Sequence, residues 1–363
     1  MNERILTPLQ SLPTTGARAL ASWQADGTRY LAVAQMARDI PGTPAHMNGG
    51  DSDIEAPLFR MEDGRFVECG ALPLAGGEDV EYFRIGARQF LATAGIRTGR
   101  GPYDYNTQAV VYEWRDGAWT VLQRFAVFAA KQWRAFSIGE RYFLALAQGV
   151  TVEGIDALHP RQSCIYEWDG ERFVLFQTVE GRWGYDWNFT SHDGAHYLTY
   201  ADHVDGSQLL RWDGVRFVSQ QTFDEKGGRT FRFFEDRGTL WMVHANLLAH
   251  TTLYRFDGAR CVEVQRLGGA GGRELCVIEG ARGRYLVRVC FITGIPQAPV
   301  VERESQVFRW TGGTFELAET FSTSGATSAE TFVEAGTRYL AVTNSLSADL
   351  RFGVDSMLYR FDG

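Results

Sequence analysis

One short pattern recurs seven times along these 363 residues: a strand-like segment bearing Tyr-Leu or its equivalent, a variable gap, then aromatic-x-aromatic, Asp-Gly and a further strand. The first element reads Tyr30-Leu31, Phe90-Leu91, Phe143-Leu144, Tyr197-Leu198, Trp241-Met242, Tyr285-Leu286 and Tyr339-Leu340. The second occupies Phe59 to Gly64, Tyr112 to Gly117, Tyr166 to Gly170, Leu210 to Gly214, Tyr254 to Gly258, Phe308 to Gly313 and Tyr359 to Gly363. Successive copies of the first element lie 60, 53, 54, 44, 44 and 54 residues apart. Repeats of this length build propellers, solenoids or arrays, because each unit buries its faces only against its neighbours. The repeat runs from end to end and leaves no room for a linker, so residues 1–363 read as a single domain.

Each unit parses into four strands, A to D. In the third they are Trp133 to Ile138, Tyr142 to Ala147, Cys164 to Trp168 and Phe173 to Val179, all with period-two alternation and aromatic or β-branched content. The A-to-B turns are tight. The C-to-D turns carry Asp-Gly, which suits a type I′ hairpin because both central residues need positive φ. The seventh unit stops after its Asp-Gly and lacks a strand D, while Leu6 to Leu12 matches Phe173 to Val179 in spacing, including the recurrent Gln. Residues 1–12 are therefore expected to supply the outer strand of the last blade, closing an all-β, seven-bladed propeller of four-stranded antiparallel blades. Pro8 fits there, since the outer edge needs no donor.

Composition narrows the partners. A net charge of −8 and a pI near 5.5 speak against nucleic acid, which asks for a clustered basic face. No apolar run reaches the ~18 residues of a membrane span, and Met1 to Pro8 holds no apolar core of signal-peptide length, so a cytoplasmic monomer is expected. The five cysteines, Cys69, Cys164, Cys261, Cys276 and Cys290, show no metal-type spacing and read as buried free thiols.

The motifs Phe136-Ser137-Ile138-Gly139, Tyr30-Leu31-Ala32-Val33-Ala34, Tyr166-Glu167-Trp168-Asp169-Gly170 and Phe173 through Gln177 resemble the epilepsy-associated repeat, also called the EAR or EPTP repeat. The resemblance covers essentially the whole chain, with a Thr-Gly-Gly variant at Thr311 to Gly313. It implies a β-propeller that binds proteins, as in the secreted leucine-rich glioma-inactivated proteins. It also implies that strand A acids can hold calcium in the channel, and Asp79 best matches that context. A WD40 reading fits less well, because Trp-Asp here belongs to a hairpin Trp-Asp-Gly with no Gly-His before it.

In such a ring the A-to-B and C-to-D turns share one face, and the B-to-C and D-to-A connections share the other. The B-to-C loops are long in units one (Met36 to Pro57), two (Gly95 to Gln108), three (Gln148 to Ser163), six (Phe291 to Ser305) and seven (Asn344 to Ser356). They are short in units four (Asp202 to Gln208) and five (Asn246 to Thr252). An asymmetric loop face suits one specific ligand.

Aligning strand A on the Tyr-Leu marker gives three polar sets facing the channel. The first is Arg18, Glu78, Lys131, Tyr185, Arg229, Arg273 and Thr327; the second is Ala19, Asp79, Gln132, Asp186, Thr230, Glu274 and Ser328; the third is Ala21, Glu81, Arg134, Asn188, Arg232, Cys276 and Glu330. The first two are expected at a loop-face mouth. Carboxylates Asp79, Asp186 and Glu274 are the candidate ligands of calcium or another divalent cation, or an acid and base. Glu78, Lys131, Arg229 and Arg273, with Trp183, Tyr185 and Tyr103 as a stacking wall, are the candidate ligand-binding set. Plain structural pairing of a mixed charge ring accounts for the same residues. Loop histidines His46, His159, His203 and His250 form no ligand spacing, and His192 with His196 lies on the short-turn face.

Two functions stay open. One is a propeller that binds a protein, peptide or small molecule through its loop face and channel mouth. The other is an enzyme of lyase, cyclase or isomerase type, acting at the channel on a small polar or aromatic molecule.

Overall fold

The computed structural model describes residues 4–151, 161–295 and 298–363. Seven four-stranded antiparallel sheets stand in sequence order around a central axis. Blade 1 holds Ala17–Ala25, Thr28–Gln35, Glu55–Glu62 and Arg65–Pro73 as strands A to D; blade 3 holds Ala130–Ile138, Arg141–Gln148, Gln162–Trp168 and Phe173–Glu180. Blade 7 takes its outer strand from the other end of the chain. Leu6–Leu12 pairs antiparallel with Ser356–Phe361, and Pro8 stands exposed on that edge as expected.

Two β-bulges recur in every blade. In strand A the extra residue is Arg18, Glu78, Lys131, Tyr185, Arg229, Arg273 or Thr327, each skipped in the pairing with strand B. A bulge re-aims its side chain, which is how two consecutive residues of one strand both reach the channel despite the two-residue alternation. In strand D the skipped residue is Leu9, Cys69, Leu122, Phe176, Gln220, Val264 or Ala318. The residue that follows this second bulge is the recurrent Gln. Gln177 donates to Phe217 O and accepts from Phe217 N at 2.8 and 2.9 Å, tying blade 3 to blade 4. Gln10, Gln123, Gln221 and Gln265 repeat the pair of bonds at other junctions, and Glu319 takes the N–H groups of Ile5 and Leu6. Gly70 stands at this position in blade 1, where the side-chain bond is missing.

The blades pack through large residues on the inner strands. Trp133, Trp187 and Phe231 are fully buried at equivalent positions of blades 3, 4 and 5, and the Trp133 indole donates to Thr93 O at 3.0 Å. Cys164, Cys261, Cys276 and Cys290 are buried free thiols; Cys69, on an outer strand, is exposed, which corrects the expectation that all five are buried.

The C-to-D turns split into two kinds. Asp63-Gly64 and Asp116-Gly117 have positive φ at both residues, the type I′ pattern. In blades 3, 4 and 5 the loop is four residues long, and Asp169, Asp213 and Asp257 do not adopt positive φ. There the Asp side chain accepts the N–H groups two and three residues on, as Asp169 does from Glu171 and Arg172 at 2.9 Å. The expectation of type I′ turns throughout is thus corrected. In Trp168-Asp169-Gly170-Glu171-Arg172-Phe173 four residues separate the paired aromatics, so the Asp acts as a hydrogen-bond acceptor instead of a turn residue.

Candidate functional site

The seven strands A enclose a channel cavity of about 470 Å³. Its lining draws on all three polar sets, with Asn188 standing outside it. Exposure grows along strand A toward the A-to-B turns. Side chains of Arg18, Glu78 and Lys131 are 7%, 3% and 4% exposed, whereas those of Glu81 and Arg134, three residues further along, are 18% and 26% exposed. The channel therefore opens on the short-turn face.

Its loop-face end is roofed. In each blade the residue leaving strand B donates its N–H to a carbonyl just before strand A, from Met36 to Gly16 through Ser345 to Gly325, at 2.8 to 3.1 Å. Gly76 is one of these acceptors. Its φ is +55°, and a Cβ there would lie 2.1 Å from Arg97 O, so only glycine fits. Above this belt Met36, Ile96, Phe128, Val150, Phe291, Leu346 and Phe352 form one buried apolar cluster drawn from five blades, with Trp183 and Leu247 packed against it. The expected loop-face mouth is corrected accordingly: the first polar set lies at the closed end, beneath an apolar cap.

That closed end is crowded with cations. Glu78 lies 3.6 Å from Arg18, 3.5 Å from Lys131 and 3.5 Å from Arg273. Arg229 stacks on the Tyr185 ring at 3.8 Å, with Arg273 at 4.8 Å and Lys131 at 5.2 Å from the same centroid. Burial would raise the Glu78 carboxyl, but Lys131, Arg18 and Arg273 overcome it and hold it low. Burial also opposes ionisation of Tyr185, yet Arg229, Lys131 and Arg273 bring its phenol down to about 8. Burial lowers Arg18 and Lys131, and takes Arg229 down to about 10. His203, which accepts from Arg229 at 2.7 Å, is lowered to about 3 by burial and by Arg229, Arg273 and Lys131, and is neutral.

The acids lie further down and serve as bolts between blades. Asp79 accepts Trp133 N at 2.7 Å, and Asp186 accepts Phe231 N at 2.9 Å; Gln132 does the same for Trp187 N at 2.8 Å. Arg232 bridges Asp186 at 3.2 Å and Glu274 at 2.8 Å, and these two acids raise its pKa against the effect of burial. Glu81 accepts Ala135 N at 3.1 Å, and Glu330 takes Ser22 N and Oγ. Burial pushes Asp79, Asp186 and Glu274 upward and Glu330 up to about 7. Among the described residues no three His, Cys, Asp or Glu side chains converge as metal ligands. Asp79, Asp186 and Glu274 belong to different blades; Asp79 faces a backbone N–H, and Asp186 and Glu274 share the Arg232 guanidinium.

Of the ligand-binding candidates, Glu78, Lys131, Tyr185, Arg229 and Arg273 come together. Trp183 stacks on Tyr185 at 6.1 Å but lies under the cap, and Tyr103 stands apart on the loop face against Arg97, at 3.6 Å. Arg18 and His203 complete the cluster. Arg18 is legible from its place in the first set, but His203 is not, since only the fold brings a B-to-C loop over strand A of the next blade. Ser52, in the acidic Gly50-Asp51-Ser52-Asp53 loop, is buried and accepts from Arg97 Nε at 3.0 Å. His192 bonds Glu235 and His196 bonds Ser191, so these two do not converge; His159 lies outside the described residues.

Residues 172–213 match the EPTP domain model. The matched segment begins with strand D of blade 3 and ends with strand C of blade 4, so one sequence repeat straddles two blades. A thrombospondin-type laminin G domain and EAR repeat-containing protein of Mus musculus is 27% identical over 173 residues, and the Homo sapiens protein of the same name is 27% identical over 172. Each match takes in 46% of this chain and 25% of the relative, so the chain spans only part of the length of these proteins. The chain is thus a seven-bladed β-propeller that carries a match to the EPTP domain and is similar over part of its length to EAR repeat-containing proteins.

Proposed function

We propose that this chain is a protein-binding propeller whose partner sits on the loop-bearing face, over a crest built by blades 7, 1 and 2. The repeat family suggests protein binding in general; the choice of face rests on one observation, the cross-blade fastening of the long loops. Asp39 of blade 1 accepts the N–H groups of Phe352 and Gly353 of blade 7 at 3.0 and 3.1 Å. Ser52 N bonds Gly99 O at 2.9 Å, and Gly99 N bonds Asp53 at 2.8 Å, which ties blade 1 to blade 2. Arg97 reaches back to Asn48 O and Gly49 O, and Asp51 is clasped by Arg38 and Arg100. Loops ordered before binding lose little entropy on binding, which is what a recognition surface needs. Leu248 and Ile295, in the B-to-C loops of blades 5 and 6 on the same face, are 59% and 61% exposed and offer apolar contact there.

The test is cross-linked affinity enrichment from native cells, followed by reconstitution with the purified partner. Leu248→Asp with Ile295→Asp should weaken that partner about tenfold or more, while Leu175→Asp on an outer strand should leave it unchanged. Equal binding by both variants, or the lack of any saturable protein partner, overturns the reading. Chemistry on a small polar molecule in the channel has one observation in its favour, the Tyr185 phenol at about 8 beside Lys131. It predicts turnover that Tyr185→Phe abolishes.

A further inference from the structure

We propose that the closed end of the channel is a binding site for a small, multiply charged oxyanion of the phosphate class. This inference is independent of the loop-face reading, since the residues lie beneath the apolar cap and face the opposite opening.

Charge balance carries the argument. Arg18, Lys131 and Arg273 converge on a single carboxylate, Glu78, and Arg229 joins Arg273 over the Tyr185 ring, which leaves an excess of positive charge at this end of the cavity. Glu78 meets its partners at 3.5 to 3.6 Å, beyond the length of a good charge-assisted hydrogen bond. Asp202, the next acid toward Arg229, is spent on Trp183 N, Val204 N and Asp205 N. Three guanidiniums and an ammonium carry about eighteen N–H donors, whereas among the described residues the acceptors within reach, besides Glu78, are Met36 Sδ for Arg18 and His203 Nδ1 and Gly228 O for Arg229. Arg18 and Arg229 are 6% and 4% exposed, line the cavity, and have Nε groups that find no hydrogen-bond acceptor among the described residues, Arg18 Nε standing 3.6 Å from Glu78. A buried donor left in that state is costly, and buried cations in such excess call for a counter-charge.

The acidic layer nearer the opening does not supply it. Asp186 and Glu274 clasp Arg232, Glu81 holds Ala135 N, Asp79 holds Trp133 N and Glu330 holds Ser22. Each acid is satisfied where it stands, whereas the cations are not. Planar guanidiniums from three blades around one point suit a compact tetrahedral anion, which can accept from several directions at once. Tyr185, beneath Arg229, offers a hydroxyl in the same cavity.

The experiment is titration of the full chain with inorganic phosphate at constant ionic strength, read by calorimetry and by thermal unfolding against chloride. Saturable binding with a Kd on the order of millimolar or tighter is expected. Arg229→Gln with Arg273→Gln should weaken it at least about tenfold. Glu78→Gln should act in the opposite direction, lowering the thermal midpoint in chloride but tightening phosphate binding, because the competing carboxylate is gone. This opposed response separates a built site from a merely structural cluster, and it stays readable if the double arginine variant fails to fold. Lack of saturable binding, or binding that Glu78→Gln leaves unchanged or weakens, overturns the proposal. Failure here leaves the protein-binding reading intact, since that rests on the fastened loops of the opposite face.

Discussion

The two ends of the channel are built from the same strand, a few residues apart, and treat charge in opposite ways. Toward the short-turn face the carboxylates are bolts: Asp79, Asp186, Glu81 and Glu330 each accept a backbone N–H of the neighbouring blade, and Arg232 is shared by Asp186 and Glu274. Under the loop-face cap four cations crowd one carboxylate and an aromatic ring, so that cations outnumber the acids that meet them. Satisfied polar groups rigidify a core, whereas unsatisfied ones store a demand for a ligand. One layer of a repeated strand thus holds the ring together, and the layer beside it is free to carry function.

This contrast can be broken most forcefully at Asp186. Asp186→Ala removes the acceptor of Phe231 N and one anion from Arg232, and should cost about 3 kcal/mol in urea unfolding. A loss well under that would mean the acidic layer is not what locks the blades.

Next in size is a pH effect at Glu330. Burial raises its folded pKa to about 7 from an ordinary 4.5, so between these values the folded chain keeps a proton that the unfolded chain has lost. Its contribution therefore favours folding near pH 5 and fades as pH rises through 7. Glu330→Gln should reduce the loss of stability between pH 5 and 8 by about 2 kcal/mol. His203 and His244, both lowered to about 3, work in the other direction at acid pH, but they are common to both proteins and cancel in the difference. Superimposable profiles for the two proteins would remove Glu330 from the account.

The smallest effect on stability is spectroscopic. Tyr185 should ionise near pH 8 in an ultraviolet titration, a step absent from Tyr185→Phe, and saturating phosphate should move it back toward 10 by neutralising the surrounding cations. A tyrosine step near 8 that persists in Tyr185→Phe would show that the cationic field at the closed end is weaker than described.

Much of this was legible before any coordinates. The Tyr-Leu register aligned the strands A and so grouped Arg18, Lys131, Arg229 and Arg273, because period-two alternation and equal strand length leave little freedom in an antiparallel blade. The recurrent Gln was visible as a repeat, although its two bonds to the next blade were not. Trp183 does stack on Tyr185, whereas Tyr103 lies against Arg97 instead, since a residue on a long B-to-C connection has no register to place it. The two kinds of Asp-Gly turn were present in the spacing, where Trp168 to Phe173 leaves four residues between paired positions and Met61 to Phe66 closes on a two-residue turn.

By itself the sequence determined the number of blades, the strand order and the closure by Leu6–Leu12, because a repeat with one missing strand at one end and one spare at the other has a single economical solution. Only the tertiary structure decided which end of the channel is open. The cap joins Met36, Ile96, Phe291 and Leu346 from separate blades, and the seven bulges depend on hydrogen-bond registers between strands. Both are properties of neighbours in space, and together they turn a line of mixed charges into a buried cationic chamber.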